Sequence, residues 1–454
     1  MASPLLEKLS RPGPKRILAL DGGGIRGVLT LGFLERMESI LRKQHNNPDL
    51  LLCDYFDLIG GTSTGSIIAA GLAMGMTAAE LKKAYFELGN VIFGKKKNML
   101  NYLSKSEKYD AKPLTDALQK FYGDVVLGDQ EKIRTGLCVV TKRADTFSTW
   151  PIINHPEGKY YEENKNYPLW QVVRASTAAP TYFLPLVLDV GPDERGVFVD
   201  GGISMANNPS LQLFLIATLK GFPFHWRMGP DHLLLASVGT GNLSKTYRNQ
   251  SFSRTSLLTW AALLPEIFMH DTNHFNQLIL QMMSNSPTAI RIDSEIGDLH
   301  HDSLNGQHAL SYLRYNVDMN HHYLETLGLN YTPKEVIDLA AMDNGKNIAK
   351  LAEIGELAAD QLVLPDHFPE QFNLGQKPKD HILRITQNKK WDLPFEKVVK
   401  KEIPVQAVQI NEPFEVETIE GILHAKAGDY LMRGVRGEYY AIDQDIFKQT
   451  YEKY

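Results

Sequence analysis

The chain has 454 residues and a formal charge of −5, from 48 Lys plus Arg against 53 Asp plus Glu; that near-balance argues against a basic nucleic-acid binder and against a polybasic membrane anchor. With 43% hydrophobic and 22% charged residues, it can bury a large core and is not disordered throughout. Its two cysteines, Cys53 and Cys138, are too few for a disulfide framework or a structural zinc site and fit a reducing compartment.

The opening MASPLLEKLSRPGPKR lacks the unbroken apolar stretch and small-residue cleavage site of a signal peptide, so a cytoplasmic protein is expected. From Arg16, RILALDGGGIRG is a short apolar run closing on glycines, and VLTLGFLERMESILRKQ then has apolar residues at helical spacing. This reads as strand, tight turn, helix. FDLIGGTSTG followed by SIIAAGLAMGM repeats the pattern, and Thr77 and Glu80 form a capping box ahead of AELKKAYFELGN. Lys95, Lys96 and Lys97, close to Phe93, Met99, Leu100, Tyr102 and Leu103, form a basic and apolar segment that suits either an anionic lipid surface or a solvated loop. GLCVVT, GVFVD and LLLASVG read as further strands, with helices after Asn208 and across roughly Ser256 to Met283. The longest apolar runs, among them SIIAAGLAMGM and LQLFLIATL, are too short to cross a bilayer and read as core helices.

Strands separated by helices predict an α/β fold with a mostly parallel sheet covered on both faces. This unit is expected over 15–360, with its motif-bearing core at about 16–215. Pro365, Pro369, Pro378, Pro394 and Pro404, interspersed with Lys389, Lys390, Lys397, Lys400 and Lys401, mark a linker over 361–404. Residues 405–454 alternate short runs with Gly turns and end in DQDIFKQTYEKY, which predicts a small antiparallel β unit closed by a helix.

Three clusters can carry chemistry. Gly61, Thr62, Ser63, Thr64 and Gly65 fit the pattern GxSxG, in which a serine sits exposed on a sharp strand-to-helix turn. Its plain alternative is a Gly-rich turn with a helix-capping serine. The second cluster runs from Asp21 to Gly27, where Gly22, Gly23 and Gly24 leave backbone N–H groups unshielded for an oxyanion or a phosphate. Gly22, Gly24 and Gly27 also spell GxGxxG, but the ribose-binding acid expected about 20 residues on would fall in LRKQHNN. Donors for the charge that develops on a carbonyl oxygen are the better reading. Arg26 either holds Asp21 and the loop or orients a phosphate head group. In the third cluster, Asp200 ends an apolar run and precedes Gly201 and Gly202; it is a candidate base for Ser63, or simply a turn former. His270 and His274 stand four apart, but Asp271 replaces the glutamate of a zinc-protease helix and no third ligand is evident.

Taken together, DGGGIRG, GTSTG and DGG, with RASTAAPTYF (Arg174 to Phe183), NNP (Asn207 to Pro209) and SVGTG (Ser237 to Gly241), resemble the patatin-like phospholipase family in order and approximate spacing. The resemblance covers roughly Lys15 to somewhere near Asp360. It implies a Ser63–Asp200 dyad with the Gly22 to Gly24 amides as oxyanion hole, supported by Asp21, Arg26, Gly27, Gly61, Gly65, Gly201 and Gly202. The implied activity is hydrolysis of phospholipid or other lipid esters without metal or other cofactor, with transient membrane-surface contact and no nucleic-acid partner. The competing readings are a catalytically silent lipid-binding protein on the same fold and a nucleotide-binding module built on DGGGIRG.

Overall fold

Ile17 and Ala19 of the first strand pack into one hydrophobic cluster and Leu18 and Leu20 into another. The same alternation recurs at Leu58 and Ile59, at Cys138 and Val139, and at Leu233 and Leu234. A period of two with both faces apolar requires a sheet covered on both sides. The computed structural model describes residues 3–92, 109–191, 194–242, 256–303, 306–375, 404–418, 421–434 and 437–452. The segment around Lys95 to Lys97 and the stretch from 376 to 403, which holds the clustered lysines, lie outside the described residues.

Nine strands form the sheet: β1 (Lys15–Leu20), β2 (Leu58–Thr62), β3 (Gly136–Arg143), β4 (Thr149–Ile153), β5 (Leu186–Gly191), β6 (Glu194–Asp200), β7 (Leu233–Val238), β8 (Ser284–Asn285) and β9 (Leu310–Tyr315). Their order is β5-β6-β3-β2-β1-β7-β9-β8, and β4 also pairs with β3. From β3 through β2, β1, β7 and β9 to β8 every pairing is parallel, whereas β4, β5 and β6 run antiparallel to their neighbours. This is the expected mostly parallel α/β sheet, with strands at β4, β5, β8 and β9 that the apolar runs alone do not announce.

Helices Gly27–Gln44, Thr64–Ala73, Ala78–Ile92, Ala111–Tyr122, Leu169–Ser176 and Ile348–Leu362 contribute to the larger cluster on one face; Pro4–Ser10, Ser210–Thr218 and Leu280 contribute to the other. Helices Gly27–Gln44 and Ile348–Leu362 cross backbone to backbone: a Cβ on Gly32 would lie 2.5 Å from the Gly355 carbonyl carbon. Below about 3 Å no side chain fits, so the crossing needs glycine.

The chain divides into two compact units, 1–381 and 382–454. A linker beginning at 361 does not hold, because Phe368 and Phe372 are buried in the larger cluster. The Phe372 carbonyl also accepts a hydrogen bond from Arg16, whose guanidinium pairs with buried Asp57. Prolines break helices without preventing burial, and here the two aromatics outweigh them. Within the second unit, β10 (Gln406–Gln409), β13 (Tyr430–Arg433) and β14 (Tyr439–Ile442) form an antiparallel sheet, and β11 (Phe414–Thr418) pairs antiparallel with β12 (Gly421–Ala425). Its final helix, Gln444–Thr450, is capped by Asp443 and stacks Phe447 on Tyr430 at 3.7 Å.

Candidate active site

β2 ends at Thr62 and the next helix begins at Thr64, so Ser63 alone makes the turn, with φ 53° and ψ −124°. A positive φ strains any residue with a Cβ and persists only where the surroundings dictate it. Here they do. A Cβ on Gly61 would lie 2.1 Å from the Gly65 carbonyl oxygen, and one on Gly65 would lie 2.2 Å from that of Leu20. Glycine on both flanks lets β2, the helix and the end of β1 close on one another, leaving the serine partly exposed at the apex.

Asp200 closes β6 and is 4% exposed. Ser63 Oγ donates to Asp200 Oδ2 at 2.5 Å, while Gly202 N–H donates to Asp200 Oδ1 at 2.7 Å. Gly201 has no room for a side chain, since a Cβ would meet the Val140 carbonyl oxygen at 2.4 Å. Burial pushes the Asp200 carboxyl up to about 6, against the opposing pull of the Ser63 and Gly202 hydrogen bonds and the Arg174 charge. A carboxylate with so raised a pKa is a better proton acceptor than one in water.

The glycine loop lies against the serine, so that a Cβ on Gly22 would come within 3.2 Å of Ser63 Cβ. Its amides are not equivalent. Gly22 N–H donates to the Asn207 carbonyl at 3.0 Å, which removes it from the expected set of three donors. The loop's carbonyls are engaged too: Thr240 Oγ1 donates to Gly22 O at 2.9 Å, Arg26 N–H to Gly23 O at 3.3 Å and Tyr85 OH to Gly24 O at 2.9 Å. Among the described residues, the N–H groups of Gly23 and Gly24 have no acceptor. Gly27 starts the following helix, where a Cβ would meet Thr64 Oγ1 at 2.5 Å.

Asp21 points away from this opening into a buried ion pair. Arg314 of β9 donates from Nη1 to Asp21 Oδ1 at 2.9 Å and from Nη2 to Oδ2 at 2.6 Å, with a further bond from Nη1 to Ser237 Oγ at 2.7 Å. The partner of Asp21 is therefore Arg314 rather than Arg26, which adds only a lesser through-space charge. Sequence reading missed Arg314, and its sole local signal is a cation inside the apolar run LSYLRY. It also missed Asn276. This buried side chain donates to the carbonyls of Met205 and Asn208 at 2.6 and 3.0 Å and so fixes the segment that accepts the Gly22 amide.

His270 and His274 lie exposed on helix Leu257–Met282 with ring centroids 6.3 Å apart. Among the described residues no histidine is hydrogen-bonded to Ser63 or Asp200, and no group of three or more His, Cys, Asp or Glu is placed to hold a metal ion.

Ser63, at the apex of the turn after β2, is thus bonded to a carboxylate at the end of β6, with β3 between the two strands. Residues 18–214 match the family model Patatin-like phospholipase. It is 34% identical over 230 residues to the cGAMP-activated phospholipase of Escherichia coli (strain TW11681), covering 50% of this chain and 62% of that protein. It is 29% identical over 265 residues to Patatin-17 of Solanum cardiophyllum, covering 54% of this chain and 65% of that one. The chain thus spans less than two thirds of the length of either relative. Among solved structures, VipD from Legionella pneumophila aligns over 75% of this chain and 67% of its own, at 13% identity and a TM-score of 0.30.

Proposed function

We propose that this chain is a lipid acyl hydrolase in which Ser63 is the nucleophile, Asp200 the general base, and the Gly23 and Gly24 amides the oxyanion donors. The observation that carries this reading is the 2.5 Å hydrogen bond from Ser63, on a strained and partly exposed turn, to the buried Asp200 carboxylate. The match of residues 18–214 to the Patatin-like phospholipase model supports lipid esters as the substrate class. Ser63 Oγ attacks the ester carbonyl carbon as its proton passes to Asp200 Oδ2, and the negative charge on the carbonyl oxygen is met by the two amides. Collapse expels the alcohol or lysolipid, which takes the proton from Asp200, and leaves the acyl chain on Ser63. Water deprotonated by Asp200 then attacks the acyl-serine and releases the fatty acid. All of these groups lie within the first unit, residues 1–381.

Among the described residues no helix is long and apolar enough to cross a membrane. The proposed mode of action is transient contact of a cytoplasmic protein with a lipid surface. The test is fatty-acid release from phospholipid vesicles and turnover of a short-chain nitrophenyl ester, both blocked by a serine-directed fluorophosphonate. Unchanged turnover in a folded Ser63→Ala protein would overturn the reading.

A further inference from the structure

The stretch Arg174–Phe183 takes no part in the chemistry just proposed, yet it touches both halves of the site. Ser176 is the last residue of helix Leu169–Ser176 and is completely buried. Its hydroxyl accepts the Ser63 N–H at 2.8 Å and donates to the Val140 carbonyl at 2.6 Å. Two residues on, the carbonyl of buried Ala178 accepts the Asp200 N–H at 3.0 Å. One turn of chain thus holds the backbone of Ser63 and the backbone of Asp200, and the two side chains meet at 2.5 Å.

We infer that Ser176 is a positioning residue: with the Ala178 carbonyl it fixes the spacing of Ser63 and Asp200 and holds Ser63 in its strained backbone conformation. The chemistry of the position explains why a hydroxyl stands there. The group must accept from an N–H and donate to a C=O at once, in a place without solvent, and a rotating O–H does both. Ser63 at φ 53° returns to an ordinary backbone region unless its amide is held. Without the Ser176 oxygen the amide has no acceptor, the turn relaxes, and Ser63 Oγ moves off the carboxylate. Buried as it is, Ser176 does not reach solvent or substrate, so its removal acts on the chemical step and not on binding. This inference rests on the Ser63–Asp200 reading above.

The test compares S176A, S176C and S63A in the full chain with a short-chain nitrophenyl ester, counting active sites with a fluorophosphonate. For S176A the expected result is a fall of about 10- to 100-fold in kcat per titrated site with KM unchanged, the range for a small misplacement of reacting groups. The acid limb of the pH profile should also move to higher pH, because the Ser63 hydrogen bond is one of the interactions holding Asp200 toward its ionised form. S176C keeps a hydrogen-bonding group, larger and a poorer acceptor, and should fall between S176A and the wild type. A merely structural role would lower the amount of titratable protein while leaving kcat per site and the pH profile untouched, and that result overturns the inference. Should S176A not fold, S176C decides by the same two measurements: reduced kcat at unchanged KM supports the inference, wild-type kcat overturns it. An active S63A would remove the dyad reading itself, whereas an inactive S63A beside a wild-type S176A would remove only the role of Ser176.

Discussion

Asp200 reaches Ser63 from a strand that runs against the one carrying the serine. Thr62 pairs with Val140 and Asp200 with the next residue, Thr141, so β3 stands between them and sets both at the same height. β6 meets β3 only over Thr141 to Arg143. The antiparallel pairing carries the chain from Asp200 toward Val140, where Gly201 lies close against the Val140 carbonyl.

Ser63→Gly should abolish ester turnover and leave the protein as stable as the wild type or more so, by roughly 1 kcal/mol. Glycine accepts the backbone angles that strain a serine, so relief of that strain appears as stability. Thermal melts beside a nitrophenyl-ester assay check both halves. A clear loss of stability would show that the Ser63 hydrogen bond to Asp200 outweighs the strain in the turn.

Asp200→Asn should cost at least about a hundredfold in turnover, since Asn keeps the shape but cannot take the proton. It should also stabilise the fold above pH 6. The folded carboxyl titrates at about 6 and the unfolded one near 3.9, so its contribution to stability is complete below the lower value and is lost as pH rises through the higher one. Ionising Asp200 in the folded state therefore costs on the order of 3 kcal/mol at neutral pH, a cost that Asn escapes. Melting curves from pH 4 to 8 should show the variant and the wild type diverging across the interval. The wild-type kcat/KM should fall about tenfold per pH unit below 6.

Gly23→Ala should lower kcat by roughly ten- to a thousandfold with KM little changed, because the oxyanion forms only in the transition state. The added methyl would meet Thr240 Oγ1 at 2.2 Å and so displace the turn that presents the free amides. Steady-state kinetics separate this from a ground-state ligand site, where KM would rise at constant kcat.

Arg314→Met should destabilise the protein by about 3–5 kcal/mol, because it leaves the Asp21 carboxylate buried and without its counter-charge. The double variant Arg314→Met/Asp21→Asn should recover a large part of that loss. Denaturant titration of the single and double variants gives the comparison, and purely additive losses would show that the pair does not act as a unit.

Ser63 and Asp200 are legible in the sequence because glycine is forced beside each of them: no side chain fits at Gly61, Gly65 or Gly201, and such constraints leave local motifs. The free amides were only partly legible. A row of glycines shows how many N–H groups a turn exposes, but Gly22 spends its own on a carbonyl at Asn207 that no local pattern connects with it. Arg314 was invisible for the same reason, since its meaning depends on a carboxylate 293 residues away. Proline spacing misplaced the start of the linker, because two buried aromatics, Phe368 and Phe372, decide where the packed chain ends.

The separation of Asp21 from Arg314 also sets an order of events during synthesis. At about 5–20 residues per second, roughly 15–60 s pass between the appearance of the one and the other. Throughout that interval Asp21, next to the glycine loop, lacks its Arg314 partner, and β1 lacks β7 as a neighbour for most of it. On the proposed mechanism, the site is therefore completed late, when most of the first unit has left the ribosome. Nascent chains arrested before residue 314 should resist fluorophosphonate labelling even though Ser63 and Asp200 are already present.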